Sequence, residues 1–272
     1  IITNVIMEVS MEFRPCIDIH NGRVKQIVGS SLEDQDDQAR ENFVAVKDAR
    51  YYAQLYRENG LKGGHIVLLN PASSPYYEAD RTQALLALAA YPGGLQIGGG
   101  VDADNAAAYI EAGASHVIVT SYVFQDGRIN MEHLDKICMA VGKQHLVLDL
   151  SCRMKDGCYY IVTDRWQMFT EEKVDDSTLD MLTDYCDEFL IHAVDVEGKC
   201  QGIEQRLVRQ LGEWCGSPGR KVITYAGGVH SYEDIDLLRG LGSGKINVTV
   251  GSALDIFGGK LVFDEVLRRI RN

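Results

Sequence analysis

Short apolar runs alternate with longer segments in which apolar residues recur every three or four positions, from residue 13 onward. The short runs are rich in Val, Ile and Leu, which is typical of parallel strands buried on both faces. The longer segments have the period of amphipathic helices. We predict strands at residues 13–19, 64–69, 95–97, 116–120, 145–150, 189–194, 221–226 and 246–250.

Helices are predicted between and after these strands, and two of them have clear start signals. Asp102 and Ser231 stand where N-cap side chains are expected. Eight strand–helix alternations without a Pro- or Ser-rich linker indicate either a closed (β/α)8 barrel or an open doubly wound sheet. The predicted helices cover residues 48–59, 77–90, 103–111, 131–141, 177–186, 204–214, 231–239 and 261–270.

Two sequence cassettes repeat about half a chain apart. In the first, residues 97–101 (IGGGV) lead to residues 117–121 (VIVTS); in the second, residues 225–229 (YAGGV) lead to residues 248–252 (VTVGS). A period this long does not fit a solenoid repeat. It favours an α/β fold of the TIM barrel type, built from two duplicated half-barrels.

Composition and charge narrow the functional classes. We expect residues 1–12 to form an N-terminal extension without a targeting pattern, and residues 13–272 to form a single barrel domain. The net charge of −12 argues against binding to nucleic acid. No apolar run approaches the roughly 20 residues that cross a bilayer. The seven cysteines are scattered with no C-x-x-C spacing, so we predict reduced thiols, no metal site and a cytoplasmic location.

The glycine cassettes are candidates for phosphate binding. Glycine lets backbone N–H groups approach a phosphate closely, and a following helix N-terminus adds a favourable dipole. Glycine also serves in tight turns where nothing binds, but two copies favour two phosphates. We predict that the substrate and its phosphates contact Gly99, Gly100, Thr120, Ser121, Gly202, Gly227, Gly228, Gly251 and Ser252, with Trp166 stacking on a flat ring.

Two aspartates, Asp18 and Asp149, stand at corresponding places in the two halves, each inside an apolar strand. A buried carboxylate is costly unless it is paired or protonated. Each aspartate is therefore either an ion-pair partner of Arg14, Lys25 or Arg153, or half of a general acid and base pair. The duplication favours acid and base catalysis.

The end of the sixth strand carries three further ionisable residues, His192, Asp195 and Glu197. Each is either part of the site or a satisfied core or loop residue, and we expect at least one to reach the site. Residues 159–162 predict one strand of a small hairpin that covers the barrel mouth. Such a lid would exclude water from the reaction.

Residues 13–25 (FRPCIDIHNGRVK), both glycine cassettes and Asp149 resemble the phosphoribosylformimino-aminoimidazole carboxamide ribotide isomerases of histidine biosynthesis. Segments 148–153, 190–198 and 250–259 are similar to the eukaryotic-type branch of that family. The resemblance covers nearly the whole chain from residue 13. It implies an Amadori rearrangement, which converts an aminoaldose with two phosphates into an aminoketose. We predict a monomer without cofactor or metal.

The resemblance also implies roles for individual residues. Asp18 corresponds to the base that moves the C2′ proton, and a second carboxylate is the acid that opens the ribose ring. The sixth-strand segment departs from the commoner bacterial form at His192 and Glu197, so the acid is either Asp149 or Glu197, with His192 as a further catalytic candidate. Two other functions stay open: the cyclase subunit of imidazole glycerol phosphate synthase, and a noncatalytic phosphate-binding barrel.

Overall fold

The computed structural model describes residues 10–27, 41–164, 166–197, 199 and 201–271. Eight strands lie side by side in chain order, and each pairs in parallel with the next. All eight were predicted from the apolar runs. These barrel strands are β1 (Cys16–His20), β2 (Gly64–Leu68), β3 (Leu95–Gly98), β4 (Val117–Val119), β5 (Leu146–Asp149), β6 (Glu188–His192), β7 (Val222–Ala226) and β8 (Ile246–Thr249).

The sheet closes on itself between β8 and the segment that precedes β1. Phe13 bridges Val248 in parallel. The backbone N–H of Arg14 donates to the Val248 carbonyl at 2.9 Å, and the N–H of Val248 donates to the Glu12 carbonyl at 2.9 Å. Closure confirms the (β/α)8 barrel and excludes the open sheet.

One helix follows each barrel strand, as predicted. The helices are α1 (Ala49–Glu58), α2 (Tyr77–Ala90), α3 (Ala106–Glu111), α4 (Met131–Val141), α5 (Asp176–Leu182), α6 (Gln205–Cys215), α7 (Tyr232–Leu241) and α8 (Phe263–Arg271). None in the described part of the chain is long and apolar enough to cross a membrane.

The two predicted helix starts had different outcomes. Ser231 caps α7 as predicted, in a capping box with Asp234. Asp102 makes the bonds of a capping side chain, since its carboxylate accepts from the N–H groups of Asp104 at 2.9 Å and Asn105 at 3.0 Å, but the turn that it caps precedes the regular helix. These bonds form a separate turn, and the helix begins only at Ala106.

Buried polar side chains meet inside the barrel, away from the rim where the strands end. Gln96 Nε2 donates to Glu188 Oε2 at 2.9 Å, Thr224 donates to the other oxygen of Glu188, and Arg14 Nη1 lies 3.7 Å from Glu188 Oε2. The amide, hydroxyl and guanidinium groups together satisfy a carboxylate that would otherwise be costly to bury.

Additional strands lie at the rim of the barrel. Strand Arg23–Ile27 pairs antiparallel with β1, and strand Glu41–Val44 pairs antiparallel with Arg23–Ile27; neither was predicted. After β5, strands Cys152–Lys155, Cys158–Thr163 and Met168–Lys173 form a three-stranded sheet, which we call the β5 flap. Cys158–Thr163 confirms the predicted hairpin strand.

Residues 1–9 of the expected N-terminal extension lie outside the described residues, as do Gly198 and Cys200 of the loop after β6. Residues 11 and 12 of that extension are part of the barrel. Met11 is buried in the core, and Glu12 accepts a backbone hydrogen bond from β8.

Candidate active site

Both glycine pairs adopt backbone conformations that favour glycine. The φ angles are +96° at Gly99 and +68° at Gly100, and +128° at Gly227 and +75° at Gly228. A Cβ atom at Gly99 would stand 2.1 Å from the carbonyl oxygen of Leu68. The two turns therefore share a left-handed geometry that side chains would strain.

Two clefts open at the rim where the barrel strands end. The first-half cleft is lined by Gly99, Gly100, Thr120, Ser121, Asp149 and Trp166, among others. The second-half cleft is lined by Asp18, His192, Glu197, Gly227, Gly228, Gly251 and Ser252, together with neighbouring residues. Each cleft thus contains one glycine cassette and one of the duplicated aspartates.

Gly202 is placed differently from the other predicted contact residues. Its N–H donates to the Gly228 carbonyl at 3.1 Å, and its own carbonyl would stand 2.0 Å from a Cβ at Gly228. It is not among the residues that line the second-half cleft. Gly202 therefore supports the turn at Gly227 and Gly228 without lining the cleft itself.

A chain of hydrogen bonds leads from the first-half cleft to the second. Trp166 Nε1 donates to Ser151 Oγ at 3.0 Å, and the Ser151 hydroxyl donates to Asp149 Oδ1 at 2.9 Å. The same Asp149 oxygen accepts from His192 Nδ1 at 3.2 Å. The imidazole of His192 lines the second-half cleft, so this chain links the flap residue Trp166 to both halves of the site.

The environment of His192 favours its protonated form. Burial lowers the pKa of His192, but the charge and hydrogen bond of Asp149, together with the negative charges of Glu197 and Asp18, outweigh this effect and raise the pKa to about 9. At neutral pH the pair is therefore an imidazolium held by a carboxylate. It can donate a proton or stabilise negative charge.

The carboxylate of Asp18 accepts a hydrogen bond from Gln26 Nε2 at 3.1 Å. Burial and the nearby negative charge of Glu197 raise the pKa of Asp18 to about 7, against the opposing effects of His192 and Gln26. A carboxyl group that titrates near neutral pH suits general base catalysis.

Glu197 is the second acidic residue that lines the second-half cleft, together with Asp18. Its Oε2 atom is buried and has no hydrogen-bond partner among the described residues. Burial raises the pKa of Glu197 although His192 opposes the shift, and Asp149 adds to it. When ionised, Glu197 in turn disfavours the charged form of Asp18.

Asp195 does not join this group. It accepts from Arg153 Nε at 2.9 Å and from the Met154 N–H at 3.0 Å, both in the β5 flap. The other cations considered as partners of the duplicated aspartates also bind elsewhere, since Lys25 pairs with Glu41 and Arg14 with Glu188.

Sequence reasoning missed Cys16, His65 and Gln26, which all line the second-half cleft. Cys16 precedes Asp18 by two positions, so both side chains lie on the same face of β1. Cys16 is also in register with His65 on β2. The alternation in β1 was a usable signal for Cys16, but the pairing with β2 comes from the fold.

Cys16, Asp18 and His65 form a compact set of metal-ligating side chains. One ligating atom from each lies within 4.8 Å of the others. Burial lowers the pKa of His65 to about 3, with a further contribution from His192 and an opposing one from Asp149. His65 is therefore a neutral imidazole with a nitrogen lone pair. The cysteine spacing that argued against a metal site did not detect this set, because its members come from two strands.

Comparisons with known proteins identify the family to which the chain is similar. The family model described as "Histidine biosynthesis protein" matches residues 12–261. A Medicago truncatula protein named as a chloroplastic 1-(5-phosphoribosyl)-5-((5-phosphoribosylamino)methylideneamino)imidazole-4-carboxamide isomerase is 51% identical over 265 residues, which cover 96% of this chain and 82% of that protein.

Two fungal relatives carry the same isomerase name. The Yarrowia lipolytica protein is 47% identical over 255 residues, covering 92% of this chain and 94% of its own length. The Saccharomyces cerevisiae protein is 41% identical over 261 residues, covering 94% and 97%. Matches of this identity and extent, together with the closed barrel and its two clefts, show that the chain belongs to the histidine biosynthesis protein family.

Proposed function

We propose that the chain catalyses the reaction for which its relatives are named: an intramolecular aldose–ketose isomerisation, an Amadori rearrangement, in histidine biosynthesis. The observation that carries this proposal is the pair of clefts, each with a glycine turn and an aspartate. The relatives' name describes a substrate with two phosphoribosyl groups. Such a substrate needs an anion site at each end and reactive groups between them.

The anion sites draw their donors from the glycine turns and from Thr120, Ser121 and Ser252. Two backbone N–H groups just before α7, those of His230 and Ser231, are not free for phosphate, because they donate to the Asp234 carboxylate at 3.0 and 3.1 Å. The proposed second-half anion site therefore uses the glycine turn and Ser252, which line the cleft. In the first half α3 begins only at Ala106, beyond the cassette, so the proposed donors are the glycine turn, Thr120 and Ser121.

Asp18 is the proposed base. The reaction takes a proton from C2′ and delivers one to C1′; the ring oxygen gains a proton as the ribose opens, and the 2′-hydroxyl loses one as it becomes the ketone. Asp18 takes the C2′ proton in its carboxylate form. Its partner Gln26 fixes the carboxylate through the 3.1 Å hydrogen bond, and this restriction of motion contributes to catalysis by positioning.

The Asp149–His192 pair is the proposed acid. The pair joins the two clefts, and its imidazolium carries the proton that the ring oxygen needs. Glu197 then acts on Asp18 rather than on the ring, because its proximity raises the pKa of the base. We therefore propose His192, held by Asp149, as the proton donor; sequence reasoning left Asp149 and Glu197 as alternatives for the acid.

The assay supplies the aminoaldose ribotide and follows formation of the ketose. We expect Asp18→Asn and Asp149→Asn each to lower kcat by at least about 100-fold, the ordinary contribution of a general acid or base. Asp236→Asn is the control, since Asp236 pairs with Arg269 between α7 and α8, away from both clefts.

Unchanged turnover in Asp18→Asn would remove Asp18 as the base. Binding of the ribotide without turnover in the unaltered protein would contradict the isomerase and favour the noncatalytic barrel. Consumption of the ketose with ammonia would instead assign the cyclase reaction.

Compartment and assembly are separate proposals. The sequence favours a cytoplasmic monomer, whereas the Medicago truncatula relative is named chloroplastic. Imaging of a fluorescent fusion to the full-length protein tests the compartment. Light scattering of the purified protein tests the monomer, and a mass twice that of one chain would contradict it.

A further inference from the structure

We propose that Cys16, Asp18 and His65 bind a thiophilic divalent cation such as Zn²⁺ or Cd²⁺, and that the bound ion inhibits the enzyme. The inhibition rests on the proposed isomerase function, but the binding does not. Within the described ranges, these are the residues of the His, Cys, Asp and Glu types whose ligating atoms gather closely enough to hold an ion.

The three ligands converge because of the strand geometry. Cys16 and Asp18 lie on the same face of β1, and His65 is the β2 residue in register with Cys16. Their ligating atoms lie within 4.8 Å of one another. Bond lengths of about 2.0–2.3 Å at tetrahedral zinc separate the ligand atoms by roughly 3–4 Å. Small side-chain rotations are enough to close this set around an ion.

The donor set selects the class of ion. A thiolate, an imidazole and a carboxylate together favour zinc and its softer congeners over Mg²⁺ or Ca²⁺, which prefer oxygen ligands. Three protein ligands leave a fourth position open to the second-half cleft, which all three residues line. The cleft therefore provides both an entry path and room for a water ligand.

Gln26 holds two of the ligands in place. Its Nε2 lies 3.6 Å from Cys16 Sγ and 3.1 Å from Asp18 Oδ2, donating to both. One amide thus orients the sulfur and the carboxylate toward a common point. Hydrogen bonds from a neighbouring side chain to the ligands of a metal site hold the ligands in position and raise the affinity for the metal.

Binding transfers no electrons. The Cys16 thiol releases its proton to solvent, and its sulfur then shares a lone pair with the ion. The Asp18 carboxylate and one nitrogen of His65 share lone pairs in the same way. Asp18 bound to a cation cannot accept the C2′ proton, so occupation of this site stops the reaction that we assign to Asp18.

The binding test titrates the metal-free, unaltered protein with Cd²⁺ and follows the ultraviolet sulfur-to-cadmium charge-transfer band. We expect one equivalent to saturate a band that disappears in Cys16→Ala and Cys16→Ser. Cys186→Ala, which removes another buried cysteine, is the matched control and should keep the band. His65→Asn removes a direct ligand and should weaken binding by more than the roughly tenfold that loss of an outer-shell partner costs.

A stoichiometric band that persists in both Cys16 variants would overturn the assignment, and so would the absence of such a band in the unaltered protein. Anomalous diffraction from zinc-soaked crystals of the unaltered protein needs no variant. A peak between Cys16, Asp18 and His65 supports the site, and peaks confined to other places contradict it.

The inhibition test compares the rate with and without Zn²⁺ for each protein, relative to its own metal-free rate. We expect Cys16→Ser to need at least about tenfold more Zn²⁺ for half-inhibition than the unaltered protein. Binding at the site without loss of turnover would refute inhibition. A metal-free protein that shows no isomerisation would refute the proposed function instead, while the cadmium band still reports on the site.

Discussion

The substitution Asp18→Asn tests the electrostatics of the site through protein stability as well as activity. It keeps the size and shape of the side chain, and removes a carboxylate that burial and Glu197 disfavour in its charged form. The folded protein holds the Asp18 proton up to a pKa of about 7, whereas the reference value is 3.8. The charged carboxylate therefore opposes folding at neutral pH.

The size and sign follow from linkage. A difference of about three pKa units, at 1.36 kcal/mol each, corresponds to roughly 4 kcal/mol. We expect ~2–4 kcal/mol because Asp18 faces a cleft open to solvent. Between about pH 4 and pH 7 the folded state binds more protons than the unfolded state, so this contribution lowers the free energy of unfolding as pH rises. The free energy of unfolding of Asp18→Asn does not fall with pH for this reason, because asparagine does not titrate.

The assay is urea unfolding of both proteins from pH 4.5 to pH 8, followed by circular dichroism. The variant should gain little at the acidic end and ~2–4 kcal/mol at pH 8, while turnover is lost. Asp236→Asn is the control, because the hydrogen bond from Arg269 lowers the pKa of Asp236 and predicts no such gain. A difference in stability between Asp18→Asn and the unaltered protein that does not change with pH would refute the reasoning.

Four further substitutions test other parts of the structure. Gly228→Ala should lower the free energy of unfolding by at least ~1–3 kcal/mol in thermal melts, because its Cβ would stand 2.0 Å from a carbonyl oxygen. Gly219→Ala, with a similar φ of +78° and open space around it, is the control, and equal losses would contradict the clash. Glu188→Ala should cost ~1–3 kcal/mol in urea unfolding, since it leaves the buried Gln96 amide and Thr224 hydroxyl without the carboxylate that accepts from them; an unchanged free energy of unfolding would contradict this. Trp166→Phe removes the indole donor and should lower kcat/KM by about 2- to 10-fold; an unchanged kcat/KM would show that this hydrogen bond does not matter in the transition state. Glu197→Gln should move the acidic limb of kcat/KM, expected near pH 7, to lower pH, because it removes a charge that raises the pKa of the base; a fixed limb would contradict that coupling.

Most strands and helices of the barrel could be predicted from the sequence, because the spacing of apolar residues within a segment shows which of its positions are buried. Strands β1 to β8 are short apolar runs, and α2 and α4 were predicted with the bounds that the structure has. The strand Arg23–Ile27 was missed because its sequence, RVKQI, mixes charges with apolar residues, and its pairing with β1 supplies the order. The start of α3 was predicted three residues early, because Asp102 caps a turn that precedes the regular helix.

The sequence alone established which residues could form the two halves of the site. Glycine pairs at strand ends indicate turns that can bind phosphate, and aspartates within apolar strands indicate carboxylates with a chemical role. Only the tertiary structure decided how they act together. The loop after β6 turns Asp195 toward the flap, the pairing of β5 with β6 brings His192 to Asp149, and the β1–β2 register brings His65 to Cys16. Such pairs join residues far apart in the chain, and their charges act over a few ångströms of space, so only the closed barrel establishes which groups share protons.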